Sequence, residues 1–141
     1  MSLGGLDVNL YGVLVAGAAS MVIGMIYYSD GVLGKTWKKL AKVDVKRFEK
    51  EMPRTMPLVF VGALITAYVL GYITCLYQAF YNVPWLTASM VTALLIWVVV
   101  ATNITIHNLL DQRPRMLTYI TLGNRLLSIL AMGLIIGWLH P

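Results

Sequence analysis

The sequence predicts an all-α integral membrane protein: a bundle of four transmembrane helices with an amphipathic cytoplasmic segment between spans one and two. Composition is the first observation, because 59% of the 141 residues are hydrophobic and only 12% are charged, against about 25% in soluble domains. The second is the position of the charges. No Asp, Glu, Lys or Arg occurs from Val8 to Ser29 or from Thr55 to Leu110, and one helical crossing needs about 20 apolar residues.

Four spans follow from these runs. The first run predicts one span at 8–28. The second is long enough for two spans, at 57–79 and 85–107, because Asn82-Val83-Pro84 supplies a turn followed by a restart of the helix. The fourth span is predicted at 117–139, interrupted only by Arg125. We expect residues 1–141 to form a single membrane domain.

Basic residues predict the orientation, since Lys and Arg in short loops are retained in the cytoplasm. Eight of them lie in the loop 30–56, and Arg113 and Arg115 lie between spans three and four. We therefore expect loop 30–56 in the cytoplasm, both termini outside, and the protein in the cytoplasmic (inner) membrane.

Small residues recur at four-residue steps in three of the spans. Helices in lipid associate by close packing, which small side chains permit. The positions are Gly12, Ala16, Ser20 and Gly24 in span one, Ala63, Ala67 and Gly71 in span two, and Gly133 and Gly137 in span four. We expect spans one and two to pack backbone near backbone. The same positions could instead contact another protomer, so a homo-oligomer or a subunit of a larger membrane complex is expected.

The segment after span one has the pattern of a basic amphipathic helix. Apolar side chains, Trp37 among them, gather on one arc, and Lys38, Lys39, Lys42 and Lys46 lie opposite. Asp44 falls inside the apolar arc, which predicts a break there. Such a segment is typical of an interfacial helix on anionic lipid headgroups, although a topology signal without a specific ligand explains it too. Nucleic acid is not an expected partner, because the membrane accounts for the basic side chains.

No familiar catalytic signature is present: the sequence lacks a phosphate loop, a nucleotide-binding glycine motif, a Cys-x-x-Cys and a nucleophile elbow. We expect no enzyme activity and no cofactor. A zinc site needs at least three protein ligands, and only Asp30 could join the His107 and Asp111 pair. We therefore expect no metal.

Polar residues are concentrated in the cytoplasmic half of the spans. They are Tyr28, Asp30, Asn103, His107, Asp111, Asn124 and Arg125. Arg125 would lie about 13 Å into a core about 30 Å thick, where an unpaired guanidinium costs at least about 2.5 kcal/mol. We expect it to face the bundle interior or an inner vestibule near Asn103 or His107. Asp30 or Asp111 is the expected carboxylate partner, and snorkelling to headgroups is the alternative.

Short motifs connect the sequence to a family. Gly24-x-x-Tyr27-Tyr28-Ser29, followed by Gly34-Lys35-x-Trp37, resembles the amino-terminal signature of a family of small four-span membrane proteins. The likeness extends to Thr102-Asn103 and to residues 126–133. That family is catalogued as a domain of unknown function, number 1761. The resemblance implies a four-helix membrane fold and no particular reaction.

Two function classes remain. The first is a structural or assembly subunit that acts through helix packing, which the sequence favours because four spans with one internal charge can hardly line a transport path alone. The second is a transporter or channel-like protein that binds a small solute or ion in a cytoplasm-facing polar cavity around Arg125.

Overall fold

A computed structural model describes residues 2–3, 6–29 and 31–139. Two-residue strands β1 (Ser2–Leu3) and β2 (Leu6–Asp7) pair in antiparallel fashion. The rest of the ordered secondary structure is helical. The helices are α1 (Leu10–Tyr27), α2 (Gly34–Leu40), α3 (Val45–Tyr81), α4 (Trp85–Leu110) and α5 (Arg115–Trp138). Within the described residues, α1, α3, α4 and α5 are long and apolar enough to cross a membrane, so the predicted all-α membrane class is confirmed.

The four long helices form a bundle in which each contacts the next along the chain and α5 returns to contact α1. The turns between α3, α4 and α5 are short, so these neighbours run antiparallel. The core is built from side chains of all four helices: Ala16, Ala67, Leu70, Ala93, Ile129 and Met132 are buried together. This topology brings the end of α1, all of α2, the start of α3 and the α4–α5 turn to one end, which we call the basic end. Ten of the eleven Lys and Arg residues belong to these segments.

Helix α3 is much longer than the span predicted at 57–79. It contains 37 residues, about 55 Å at 1.5 Å per residue, and it continues through Pro53 and Pro57. Each proline removes one backbone hydrogen bond from the helix. The charged residues before Pro53 nevertheless favour a helix through contacts between their own side chains. Arg47 Nε lies 3.3 Å from Glu51 Oε1 one turn later, a pair that stabilises a solvated helix.

The break predicted near Asp44 is present. Helix α2 ends at Leu40, and Lys42 takes a left-handed backbone conformation with φ 54°. The Asp44 side chain then accepts a hydrogen bond from Arg47 N at 3.3 Å and caps α3. A carboxylate that satisfies a free N–H at a helix start stabilises that boundary, so the acidic residue inside the apolar arc marks the start of a helix.

Two hydrogen bonds join α1 to α5 at opposite ends. Asn9 Nδ2 donates to the carbonyl oxygen of Leu139 at 2.7 Å, and the Tyr27 hydroxyl donates to the carbonyl oxygen of Ile120 at 2.6 Å. Asn9 and Tyr27 are separated by about 27 Å along the helix. These contacts fix the register of α1 against α5 over nearly the whole bundle length.

Helices α4 and α5 approach each other closely at the glycines of α5. A Cβ at Gly133 would lie 3.0 Å from Ala93 Cβ and 3.3 Å from the carbonyl oxygen of Ser89. A Cβ at Gly137 would lie 3.0 Å from Leu86 Cα and would collide with the Ser89 hydroxyl. The two glycines therefore let α4 and α5 touch at their backbones, where any side chain would separate them.

The small residues of α1 do not all face α3, contrary to expectation. A Cβ at Gly12 would meet Leu139 after α5, at 3.2 Å from its carbonyl oxygen, whereas one at Gly24 would meet none of the described residues within 4 Å. The glycine that does approach α3 is Gly17, whose Cβ would lie 2.7 Å from Leu64 Cδ2. Four-residue steps advance by about 40° around a helix, so Gly12 and Gly24 lie about 120° apart and cannot contact one neighbour.

The other small residues divide between core and margin. Ala16 and Ala67 are fully buried, whereas Ser20 and Ala63 are half-buried. Gly71 of α3 faces the chain before α1, because its Cβ would lie 3.0 Å from Val8 Cγ1.

Candidate functional site

An open groove of about 520 Å³ lies at the basic end, between α4, α5 and α2. We call it the basic-end groove; it is lined by Trp37, Asn103, Ile104, His107, Asn108, Arg113, Leu117, Thr121 and Arg125. The structure thus brings Asn103, His107 and Arg125 of the predicted polar cluster to one surface. Among the described residues, no carboxylate lines the groove.

Arg125 lies ten residues into α5, about 15 Å from the start of the helix. Its side chain is exposed and lines the groove. Helical side chains tilt toward the amino terminus of their own helix, which for α5 is the basic end. Of the carboxylates in the described residues, none forms an ion pair with this guanidinium within 4.0 Å.

Asp111 is not the partner of Arg125, which corrects the expectation from the sequence. Its Oδ2 lies 3.1 Å from His107 Nε2, one turn earlier on α4, and 3.8 Å from Arg113 Nε in the following turn. Both partners are close in sequence, whereas Arg125 lies two to three turns along the next helix. Asp30, the other expected partner, lies outside the described residues.

Asn103 and His107 share the groove with Arg125 but bond elsewhere. The Asn103 Nδ2 donates to the carbonyl oxygen of Val99 at 2.8 Å, within its own helix, and His107 contacts Asp111. The polar side chains of α4 are therefore held in place by α4 and its turn. This leaves the groove volume in front of Arg125 to solvent or to a ligand.

Tyr28 and Asn124 lie beside the groove. The Tyr28 hydroxyl lies against the side chains of Thr121 and Asn124 and interacts electrostatically with Arg125. Asn124 is 9% exposed, and its Oδ1 has no hydrogen-bond partner in the part of the chain that the structure describes. Burying a polar atom without a hydrogen-bond partner costs free energy. A water molecule or ligand that donates a hydrogen bond to Asn124 Oδ1 would therefore be stabilised here.

A chain of aromatic rings holds α2 against the bundle. Ring centroids are 5.2 Å apart between Tyr27 and Tyr28, 5.1 Å between Tyr28 and Trp37, and 5.7 Å between Trp37 and Phe48. Gly34 makes this arrangement possible, because a Cβ there would collide with the backbone of Tyr28 and lie 2.7 Å from the carbonyl carbon of Ser29. Trp37 is half-buried and forms one wall of the groove, and its expected position at the membrane surface stays a prediction.

The lysines expected at the membrane surface differ in exposure. Lys39, Lys42 and Lys46 are exposed, whereas Lys38 is half-buried with its Nζ 5.9 Å from the centroid of the Phe48 ring. Three of these four lysine side chains are therefore exposed at the surface of the basic end.

Several contacts at the site were not expected from the sequence. Asn108 is buried and donates from Nδ2 to Thr118 Oγ1 at 3.0 Å, and Trp97 Nε1 donates to the carbonyl oxygen of Leu122 at 3.2 Å. Both bonds join α4 to α5 and shape the groove between them. Thr121 also lines the groove, one turn before Arg125. Its position could not be predicted from the sequence, because threonine is common in membrane helices. Among the described residues no group of three or more His, Cys, Asp and Glu side chains could hold a metal ion.

Comparison with known proteins gives a family match. No curated protein and no solved structure matches the chain. The family described as "Protein of unknown function (DUF1761)" matches residues 11–137, which include all four long helices nearly complete. The chain therefore belongs to the DUF1761 family.

Proposed function

We propose that this membrane protein binds an anionic ligand in the basic-end groove, as a binding or transport protein of the cytoplasmic membrane. One observation carries the proposal: Arg125, the one formal charge within the apolar part of α5, lines an open groove of about 520 Å³. A guanidinium left in lipid at that depth would cost at least about 2.5 kcal/mol. Charges inside membrane spans generally mark the path or site of a substrate.

The charges around the groove support an anion. Two arginines and one histidine line it. Asp111 offsets part of the positive charge of Arg113 but lies beyond 4.0 Å of Arg125. Arg125 therefore dominates the potential at the inner end of the groove, and a guanidinium fork binds carboxylate or phosphate through two parallel hydrogen bonds.

The basic end is the proposed cytoplasmic side, with both termini outside. Residues 34–54 contain eight basic and three acidic side chains, a net charge of +5 that equals the charge of the whole chain. Basic residues near span ends are retained in the cytoplasm. In this orientation the groove opens to cytoplasmic solutes and to the inner leaflet, and exposed Lys39, Lys42 and Lys46 face its anionic headgroups.

Assembly through helix packing is the second candidate function, in a homo-oligomer or a larger complex. Most of the small residues that suggested it pack within the bundle, as Gly133, Gly137 and Gly17 do. Gly24 and Gly62 support it, because a Cβ at either would lie more than 4 Å from the rest of the described chain. A second helix could approach closely at those two positions.

The test of the groove is ligand-dependent thermal stability in detergent. Purified protein is heated with inorganic phosphate, sulfate or small carboxylates at constant ionic strength, and a ligand that binds the folded state raises Tm with its concentration. We expect one anion class to raise Tm for the wild type and for Arg115→Gln, an exposed α5 residue outside the groove. Arg125→Gln should abolish the rise. An equal response of both variants would contradict the proposal.

A further inference from the structure

We infer that the ligand of the basic-end groove is the phosphate group of an anionic phospholipid, drawn from the leaflet at the basic end. This inference rests on the proposed function and specifies its ligand. Phosphate could also bind as a free ion from solution. Three features favour the lipid: the depth of Arg125, the apolar walls of the groove, and the exposed apolar surface beside it.

The depth of Arg125 suits a lipid headgroup. The apolar part of α5 begins near Leu117, so the Arg125 Cα lies about 12 Å further in. The side chain tilts and extends back toward the basic end, which brings the guanidinium to within several Å of the headgroup region. A phosphate at the membrane surface can reach that position without entering the centre of the hydrocarbon core.

The walls of the groove are amphipathic. Ile104, Leu117 and the Trp37 ring provide apolar surface beside the two guanidinium groups. Apolar surface does not stabilise a small hydrated ion. The glycerol and upper acyl carbons of a lipid, by contrast, are stabilised there because they are removed from water. A mixed lining with a few well-placed polar groups is what an amphiphilic ligand requires.

The outer surface beside the groove offers a path for acyl chains. Leu109 and Leu110 follow the lining residue Asn108 and are 65% and 78% exposed, and Met116 and Tyr119 flank Leu117 and are 57% and 65% exposed. In a membrane these side chains contact lipid tails. A phospholipid can therefore place its phosphate against Arg125 while its acyl chains remain in the bilayer.

Basic side chains around the groove favour anionic over zwitterionic lipids. Lys and Arg side chains near a membrane surface attract anionic lipid, and Lys39, Lys42 and Lys46 are exposed at this end. The lipid chosen should carry net negative charge, since zwitterionic headgroups bring a cation toward Arg113 and Arg125.

The experiment measures retained lipid. Protein is reconstituted in nanodiscs of 80% phosphatidylcholine and 20% phosphatidylglycerol, transferred to detergent, delipidated stepwise and examined by native mass spectrometry. Wild type and Arg115→Gln should retain phosphatidylglycerol after phosphatidylcholine is lost. Arg125→Gln should retain at least tenfold less, and Arg113→Gln, in an exposed turn, should retain an intermediate amount. Arg125→Lys keeps the charge but loses the fork, so it should fall between wild type and Arg125→Gln.

The outcomes separate this inference from the proposed function. Phosphatidylglycerol retention that is equal in wild type, Arg113→Gln, Arg125→Lys and Arg125→Gln overturns the lipid assignment. If inorganic phosphate still raises the Tm of the wild type but not of Arg125→Gln, the groove binds a soluble anion and the proposed function stands. If neither lipid retention nor Tm depends on Arg125, both proposals fail. Matching gel-filtration profiles and helical circular dichroism show that each variant is folded.

Discussion

Tyr27 and Gly123 are fitted to each other across the α1–α5 interface. A Cβ at residue 123 would lie 2.7 Å from the Tyr27 hydroxyl oxygen, which donates to the carbonyl oxygen of Ile120 at 2.6 Å. The hydroxyl reaches α5 only because residue 123 has no side chain. Since Tyr27 also packs on Tyr28, which packs on Trp37, this contact positions the aromatic wall of the groove.

Gly123→Ala should destabilise the protein by about 1 to 3 kcal/mol, because the added methyl group displaces the Tyr27 hydroxyl. Tyr27→Phe should cost about 0.5 to 1.5 kcal/mol through the lost hydrogen bond. The double variant should cost less than the sum, since the methyl group has no hydroxyl to displace. Unfolding in mixed micelles measures all three free energies, and strict additivity would contradict the coupling.

The glycine contact between α4 and α5 predicts a contrast between two glycines. Gly133→Leu should lower Tm strongly, because its side chain would enter the space of Ala93 and Ser89. Gly24→Leu is the matched control, since nothing lies within 4 Å of its Cβ. A Tm change for Gly24→Leu as large as for Gly133→Leu would mean that α1 contacts another helix in the assembled protein, and would favour the assembly function.

Leu70 and Leu58 on α3 test the position of the core. Leu70 is fully buried, and Leu58 is 73% exposed. Leu70→Ala should lower the free energy of unfolding by about 2 to 5 kcal/mol through the cavity it leaves. Leu58→Ala should change it by less than about 0.5 kcal/mol. Similar losses for the two variants, measured by the same micellar unfolding assay, would be inconsistent with this helix arrangement.

The proposed orientation predicts opposite labelling at the two ends of α3. In a Cys75→Ala background, Lys42→Cys should react with a membrane-impermeant maleimide only after the cytoplasmic side is opened. Asn82→Cys, in the exposed turn between α3 and α4, should react in intact cells. Both positions are exposed and have left-handed backbone conformations, so reactivity differences reflect sidedness. The reverse pattern would place the basic end outside.

The sequence predicts the four long apolar helices because charged side chains are excluded from the hydrocarbon core of a membrane. A charge within the hydrocarbon core costs several kcal/mol, so charge-free runs of helix length have few alternatives, and the Asp44 break follows from the capping chemistry of its side chain. Which helix each small residue faces is not predictable in this way. The rotation of about 40° per four-residue step places Gly12 and Gly24 on different sides of α1, and only the packed bundle determines their neighbours.

The sequence predicted several residues of the candidate site but not which side chains form ion pairs there. Arg125, Asn103 and His107 meet at one groove because the order of the helices places all three in the same half of the bundle. The predicted pairing of Asp111 with Arg125 was wrong because Asp111 contacts residues that are near it in sequence. His107 lies one turn earlier and Arg113 two residues later, and both are nearer than Arg125. Thr121 lines the groove through tertiary contacts that have no periodic signal, and the apolar arc that includes Trp37 does not show which helix this side chain faces.

The two hydrogen bonds between α1 and α5 hold these helices in one fixed register over a length close to the thickness of a bilayer core. Asn9–Leu139 and Tyr27–Ile120 are separated by about 27 Å along α1, close to a hydrocarbon thickness of about 30 Å. With both ends fixed, α1 and α5 cannot slide past each other when the membrane becomes thinner or thicker. Hydrophobic mismatch must then be met by tilting the pair as a unit or by deforming the lipid around it.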